Sequence, residues 1–319
     1  MAPRTPIPAP RTSAAAGRPF RPQGTEDIDP RWIMKALAAV VLAALICGYL
    51  TLCLLFYVGQ WQLVLHPTRN PGPLNIPGTP AELIRFAPDE SAVPQLTGWW
   101  IPAVSGARYA HTTLLYLPGG DGSLVDKATS LEALHRLGAN LFAIDYRGYG
   151  QSAASHPSQA NMTNDAESAL RYLRLSRGLP EQEIVPYGVG VGTSLASQLA
   201  QDHRAIAAVI LESPRTDLLT ALTHDARTNF LPARLLFHEN FPLAARLTRL
   251  RTPKLLLGSD PLPAAFTTAS DPKIAVTLGP VADGTLSSRP GYLPSLSRFL
   301  DQYVPDAALS AVSAPSLSK

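Results

Sequence analysis

The sequence predicts an α/β fold in which a mostly parallel sheet is covered by helices on both faces and is preceded by one transmembrane helix. Between residues 81 and 305, apolar runs typical of buried strands alternate with stretches of helical periodicity, which is the order expected of a parallel sheet. Residues 36–65 contain no charged side chain. Of the 319 residues, 46% are hydrophobic and 16% are charged, a composition that excludes an intrinsically disordered chain.

The first 35 residues differ in composition from the rest. They contain six positive and three negative side chains, and 21 of each sign remain in the other residues. Prolines are frequent there and no apolar period is present, so residues 1–35 are predicted to be a disordered tail. Because the remainder of the chain is neutral, a nucleic-acid-binding surface is not expected.

Residues 36–58 are predicted to form the transmembrane helix, since at roughly 1.5 Å per residue they would reach about 34 Å, enough to span a bilayer. Trp32 on one side and Tyr57 and Trp61 on the other fit interfacial anchors. An uncleaved signal anchor fits better than a cleavable signal peptide, because no small-residue cleavage site closely follows. Positive charges precede the span, so we expect a cytoplasmic N-terminus and an extracytoplasmic C-terminal domain.

The remaining boundaries follow from proline, glycine and small polar residues. Residues 59–80 are predicted to be a Pro-rich extended linker, residues 81–305 the folded domain, and residues 306–319 a disordered tail. The two cysteines, Cys47 and Cys53, both lie in the apolar stretch. A disulfide framework and a thiolate metal site are therefore excluded.

Strands and helices of the domain are predicted from periodicity. The apolar segments predicted to contain the strands are AELIRFAP (81–88), QLTGWWIPA (95–103), TTLLYLP (112–118), ANLFAIDYRGYG (139–150), EIVPYGVGVG (183–192), AAVILESP (207–214), TPKLLLGSD (252–260) and KIAVTLGP (273–280). The helices are SLEALHRLG (130–138), NDAESALRYLRLSR (164–177), SLASQLAQDH (194–203) and PSLSRFLDQYV (294–304). Sites in such sheets lie beyond the carboxyl ends of the strands, so we expect functional residues in the loops that follow them.

Four runs, LLYLPGGDGS, FAIDYRGYGQS, IVPYGVGVG and AVILESP, together with the order of elements, resemble the α/β-hydrolase superfamily. The nearest likeness is to its single-pass, signal-anchored serine-hydrolase branch with no large lid. The resemblance covers roughly residues 81–303, and Asp145–Gly150 is its most specific piece. It implies an eight-stranded sheet, a nucleophile on the turn after the fifth strand, an acid after the seventh and a histidine after the eighth.

The catalytic triad implied by the resemblance is degenerate in this chain. The family's elbow pattern is Gly-x-Ser-x-Gly, and the matching residues 188–192 read GVGVG, so Gly190 occupies the nucleophile position. The acid position corresponds to Asp260, with a spacing one residue shorter than usual. None of the seven histidines follows the seventh strand, and Asp283 is nearest to the histidine position. The order of serine, acid and histidine cannot be completed.

Backbone groups of the family's site remain. The N–H groups of Val191, after the elbow, and Gly120, after the third strand, are the expected oxyanion-hole donors. A displaced constellation is the alternative, with Ser194 as nucleophile and His156 or His224 as base. The simpler interpretation of Ser194 is helix capping or packing, and both histidines are also interpretable as surface residues.

Asp145 and Arg147 are predicted to be structural, bracing the loops around the site by hydrogen bonds and an ion pair. No Walker-type phosphate loop, dinucleotide fingerprint or metal-ligating cluster is present in the sequence, so no cofactor and no metal are expected.

Two functions follow as hypotheses. The first is a membrane-anchored pseudo-hydrolase that acts as a binding or scaffolding module for a lipid, an acyl ligand or a protein. The second is a hydrolase of ester or thioester substrates that uses the displaced constellation. The lipid bilayer is the expected partner in both, and nucleic acid in neither.

Overall fold

The domain is built on one eight-stranded sheet with the order β1-β2-β4-β3-β5-β6-β7-β8. The computed structural model describes residues 30–70, 72–88, 93–219, 232–279 and 286–304. The strands are β1 (Glu82–Phe86), β2 (Leu96–Ile101), β3 (Tyr109–Leu117), β4 (Ala139–Asp145), β5 (Ile184–Val189), β6 (Val209–Glu212), β7 (Lys254–Gly258) and β8 (Lys273–Thr277). Every predicted strand is therefore confirmed. β1 and β2 pair antiparallel, as do β2 and β4, and all other pairs are parallel.

Helices lie on both faces of this sheet, as predicted. They are α1 (Pro30–Gly59), α2 (Trp61–Val64), α3 (Ala128–His135), α4 (Gln159–Leu175), α5 (Gly192–Asp202), α6 (Ala233–Leu236), α7 (Ala244–Leu247), α8 (Ala264–Thr267) and α9 (Tyr292–Tyr303). One hydrophobic core contains residues of α4 and α5, and the other contains residues of α3 and α9. Alternate residues of β3 belong to different cores, since successive side chains of a strand point to opposite faces.

Local sequence explains the long helices. The buried side chains of α9, Tyr292, Leu296, Phe299 and Leu300, recur at the spacing of one helical face. At the start of α4, the Ser158 hydroxyl accepts a hydrogen bond from the Asn161 N–H at 3.2 Å, which is an N-cap.

The chain divides into two compact units, residues 1–51 and 52–319. α1 contains 30 residues, reaches a mean hydropathy of 2.6 and contains no buried residue. It is long and apolar enough to cross a membrane. It begins six residues before the predicted span, so Arg31 and Lys35 lie within the helix.

Residues 60–70, which we call the juxtamembrane segment because they follow the span predicted from the sequence, pack on the domain. Gln60, Val64 and Leu65 are buried, and the backbone of His66 forms an isolated bridge with Asp121. Further along, Leu74 and Ile76 enter the core shared with α3 and α9. Residues 59–80 are predicted to be an extended linker, but residues 61–64 within them form helix α2. The burial of Leu65, Leu74 and Ile76 and the backbone hydrogen bonds of His66 also hold this stretch on the domain.

Candidate functional site

The turn between β5 and α5 has the geometry of a nucleophile elbow. β5 ends at Val189 and α5 begins at Gly192, so only two residues separate strand from helix. Gly190, in the nucleophile position, has a φ of +56°, which lies in the left-handed region. A residue with a side chain adopts that conformation at a cost, whereas glycine adopts it freely. The turn therefore keeps the family's backbone without a group that can attack a substrate.

The two outer glycines of the turn are required by close backbone contacts. A Cβ on Gly188 would lie 2.3 Å from the carbonyl oxygen of Gly192. A Cβ on Gly192 would lie 2.2 Å from the carbonyl oxygen of Leu117, in the neighbouring strand β3. The outer glycines of GVGVG are thus explained by packing, and the central glycine is explained by φ.

Gly190 is also held by hydrogen bonds. Its N–H donates to the backbone carbonyl of Glu212 at 3.0 Å, and its own carbonyl accepts from the Thr193 hydroxyl at 2.7 Å. A Cβ on Gly190 would lie 3.1 Å from the Cα of Gly119, a tight approach to backbone. A serine here would require the loop after β3 to shift by a few tenths of an ångström.

The two expected oxyanion-hole residues lie next to each other. A Cβ on Gly120 would be 3.0 Å from Cγ2 of Val191. The Gly120 carbonyl accepts from the Tyr149 hydroxyl and from the His66 N–H, each at 2.9 Å, and these bonds hold the loop in place. Within the part of the chain that the structure describes, neither the Gly120 N–H nor the Val191 N–H has an acceptor. These two N–H groups are available as donors to a carbonyl or carboxylate oxygen.

Ser194, the alternative nucleophile, is buried in α5. Its hydroxyl donates to the carbonyl of Pro242 at 2.9 Å and accepts from the Arg246 guanidinium at 2.8 Å. The same guanidinium donates to the Ser194 carbonyl at 3.0 Å. These contacts agree with the packing interpretation, because the hydroxyl donates a hydrogen bond to Pro242 and accepts one from Arg246. They join α5 to α7 and to the residue shortly before it.

His156, one of the two alternative bases, is not among the hydrogen-bond partners of the Ser194 hydroxyl, which are Pro242 and Arg246. His156 is exposed, and its ring lies 5.4 Å from the ring of Trp61. His224 falls outside the described residues, as does Asp283 at the family's histidine position. Asp260, at the family's acid position, is exposed at the end of β7.

A buried polar cluster beneath the elbow was missed by the sequence analysis. The Glu212 carboxylate accepts hydrogen bonds from the hydroxyls of Tyr187 and Tyr292, the latter at 3.1 Å, and the two hydroxyl oxygens are 2.6 Å apart. Burial raises the pKa of Glu212, and the two hydroxyl donors partly offset the shift. The available signal was an acidic residue at the end of an otherwise apolar strand, at the edge where sites form.

A second polar cluster lies in the loop after β3. The Asp121 carboxylate contacts Nδ1 of His66 at 2.7 Å and the Arg215 guanidinium at 2.7 Å. All three side chains are partly exposed, so each contact contributes little to stability. The cluster connects three parts of the chain: the juxtamembrane segment through His66, the loop after β3 through Asp121, and the loop after β6 through Arg215.

Asp145 and Arg147 are structural, but not as one ion pair. Asp145 is buried and accepts from the Leu124 N–H at 3.0 Å, while the Arg147 guanidinium pairs with buried Asp165 at 2.7 Å. The backbone N–H of Arg147 also donates to Asp165 at 2.8 Å. Burial raises the pKa of Asp145 to about 6 and that of Asp165 to about 6. The expected bracing role holds, and the correction is that α4 supplies the partner of Arg147.

Metal-ligating side chains do not gather in the described ranges. No group of three or more His, Cys, Asp or Glu residues there is arranged to hold an ion. The candidate features at this edge of the sheet are the elbow, the N–H groups of Gly120 and Val191, and the two polar clusters.

The sheet order and the glycine-flanked turn after β5 together define an α/β-hydrolase fold. The family model described as serine aminopeptidase, S33, matches residues 110–272, just over half of the chain. The chain therefore belongs to this family of α/β hydrolases. Among solved structures, the esterase Pf2001 of Pyrococcus furiosus is similar with a TM-score of 0.56 and 18% identity, over 76% of this chain and 100% of that one.

Relatives by sequence cover the chain to different extents. An uncharacterized protein of Mycobacterium tuberculosis is 29% identical over 279 residues, which is 84% of this chain and 96% of the relative. The human alpha/beta hydrolase domain-containing protein 17B is 29% identical over 149 residues, 46% of this chain and 49% of that protein.

Proposed function

We propose that this protein is a membrane-anchored pseudo-hydrolase, an α/β-hydrolase domain that binds an acyl or lipid ligand without hydrolysing it. The observation that carries the proposal is Gly190, a residue without a side chain at φ +56° in the nucleophile position. A serine-type mechanism needs a nucleophile and a base that act as a unit. Here the residue in the nucleophile position, Gly190, has no nucleophilic side chain, and no histidine follows the seventh strand.

The class of ligand is inferred from what the site retains. The N–H groups of Gly120 and Val191 would bind the carbonyl or carboxylate oxygen of an acyl group. Pf2001, which has a similar fold, is called an esterase, and the substrates of an esterase contain an acyl group. A site that has lost its nucleophile but kept its oxygen-binding donors can still recognise an acyl group.

Anchoring through an uncleaved helix is supported by contacts at the end of α1. The ring of Phe56 lies 6.5 Å from that of Phe237, and the ring of Tyr57 lies 4.9 Å from that of His238. A leader removed after the apolar stretch would not make these contacts. The positive charges before α1 favour a cytoplasmic N-terminus and an extracytoplasmic domain.

The alternative, ester or thioester hydrolysis through Ser194, is less well supported. The Ser194 hydroxyl is engaged by Pro242 and Arg246, and its expected partner His156 packs against Trp61 instead.

A fluorophosphonate probe tests the proposal directly. We expect the full chain in detergent to remain unlabelled, with an active serine hydrolase as the positive control in the same reaction. Covalent labelling of one serine would contradict the pseudo-hydrolase. Loss of that labelling in Ser194→Ala, with an unchanged melting temperature, would instead establish the displaced nucleophile.

Protease protection tests the orientation. External protease added to spheroplasts should remove the domain and leave a reporter fused before Arg31 intact. Protection of the domain from outside, with cleavage from the cytoplasmic side, would reverse the proposed topology.

A further inference from the structure

The end of α1 meets the same edge of the sheet as the elbow. The amide nitrogen of the Gln60 side chain donates to the Leu236 carbonyl at 3.0 Å, in the segment between β6 and β7. The ring of Trp61 contacts His156 after β4, and the His66 N–H donates to Gly120 after β3. Each of these loops follows the carboxyl end of a strand. The chain therefore leaves α1 at the edge that contains the site.

Exposed apolar side chains lie close to this junction. Leu235, in α6, is 83% exposed and directly precedes the residue that Gln60 contacts. Leu63, in α2, is 57% exposed and lies three residues after Gln60. Arg234, the residue before Leu235, is also exposed and places a positive charge beside it. This surface combines two exposed leucines and an arginine with the aromatic rings of Tyr57 and Trp61. Such a combination is typical of a surface that contacts a membrane interface.

The opposite edge of the sheet has a different character. Three exposed arginines, Arg204, Arg249 and Arg251, line a cavity of about 790 Å³ there, between the end of α5 and the start of β7. The exposed apolar residues of that edge, Val104 after β2 and Leu175 at the end of α4, are 64% and 74% exposed and are not joined to α1 by any described contact. They provide matched controls, because their exposure is similar and their position is opposite.

We propose that α2 and α6 form a second membrane contact, so that Leu63 and Leu235 insert into the lipid interface and the elbow edge of the domain faces the bilayer. The occupant of this apolar surface is a lipid layer, since the surface is continuous in sequence and in space with the end of an apolar helix. This inference rests on the proposed membrane-spanning role of α1. It places the elbow where a membrane lipid would reach it from the bilayer.

Site-directed fluorescence quenching tests the contact. The full chain carrying Cys47→Ser and Cys53→Ser is labelled with an environment-sensitive dye at Leu235→Cys or Leu63→Cys and reconstituted in vesicles of phosphatidylcholine and phosphatidylglycerol. Lipids spin-labelled near the headgroup or at the chain end serve as quenchers. Leu175→Cys and Val104→Cys are the controls on the opposite edge, and Leu45→Cys reports on the middle of α1.

We expect the dye at residues 63 and 235 to be quenched most by the shallow label, at residue 45 most by the deep label, and at residues 104 and 175 by neither. Quenching at residue 45 with none at residues 63 and 235 would overturn the second contact and leave the anchor intact. Equal quenching at residues 235 and 175 would also overturn it, because the elbow edge would not be the one facing the bilayer. Absence of quenching at residue 45 would instead overturn the anchor.

Discussion

The elbow and the juxtamembrane segment lie at the same edge of the sheet and are held there by different contacts. The elbow keeps the family's backbone geometry, with Gly190 at φ +56°, and has no reactive side chain. The juxtamembrane segment belongs to no motif, yet its side chains Gln60 and His66 are held by the domain's loops.

The elbow is fixed by close backbone contacts at Gly188 and Gly192, where an added Cβ would have no room. The juxtamembrane segment is fixed by burial of Val64 and Leu65, by the backbone hydrogen bond from His66 to Gly120 and by the side chain of Gln60.

The largest effect is expected for Gln60→Ala. The Gln60 side chain is buried and satisfies the Leu236 carbonyl and the His238 N–H, at 3.0 and 2.8 Å. Leaving such buried groups unpaired should lower the free energy of unfolding by about 3 kcal/mol. Chemical denaturation of the full chain in detergent measures the loss. Gln62→Ala, at an exposed position two residues away, is the matched control and should change little. Equal stability of the two variants would show that the segment is not anchored through Gln60.

Repair of the elbow is the next largest effect. Gly190→Ser alone should leave hydrolysis of p-nitrophenyl esters near background, because the nucleophile and base act as a unit. Adding Asp283→His, at the position that the family resemblance assigns to the base, should raise the rate about 100-fold over the single variant, a barrier change of about 2.7 kcal/mol.

Steady-state rates of four proteins make this comparison: the unaltered chain, each single variant and the double variant. A fast Gly190→Ser single variant would mean that a base is already present at the site. The inference that the histidine is missing would then be wrong.

A pH-dependent effect is expected from Asp145, which accepts a hydrogen bond from the Leu124 N–H in the segment between β3 and α3. Burial raises its folded-state pKa from 3.8 to about 6, so the folded protein binds this proton more tightly than the unfolded chain does. The stabilisation is fully present below pH 3.8 and is lost as the pH rises through about 6.

Between pH 4 and 6, the unaltered chain should therefore lose about 2 kcal/mol more of its unfolding free energy than Asp145→Asn does. Denaturation series at several pH values measure this difference. Asp165 contributes equally to both proteins and cancels. Parallel curves for the two proteins would show that Asp145 has an ordinary pKa.

The smallest effect is the strain of a side chain at the elbow. Gly190→Ser should lower the free energy of unfolding by about 1 kcal/mol, from the left-handed φ together with the approach to Gly119. Gly178→Ser is the control, since Gly178 also has a positive φ, +68°, but no atom lies within 4 Å of its added Cβ. If the free energy of unfolding falls more for Gly190→Ser than for Gly178→Ser, the difference reports the cost of the close approach to Gly119. Stabilisation by Gly190→Ser would show that the turn still prefers a serine.

Most of the fold and half of the candidate site could be predicted from the sequence. The strands were recognisable because each is a short apolar run bounded by turn residues, and the α9 face because its apolar residues recur at helical spacing. The elbow turn was recognisable as well, since residues 188–192 keep both outer glycines of the family's pattern with Gly190 between them. These features depend on residues that are neighbours in the chain.

Only the tertiary structure decided which polar groups meet. Arg147 pairs with Asp165 rather than Asp145, His66 contacts Asp121 at 55 residues' separation, and Gln60 reaches His238 at 178. No local period encodes such pairs, because they form when loops from different strands converge on one edge of the sheet. The sequence by itself determined the strands, the apolar helix and the glycine at position 190. Folding determined that the residues following that helix pack against the loop after β3, because burying Leu65 and satisfying the Gly120 carbonyl stabilise the segment more than exposure to water would.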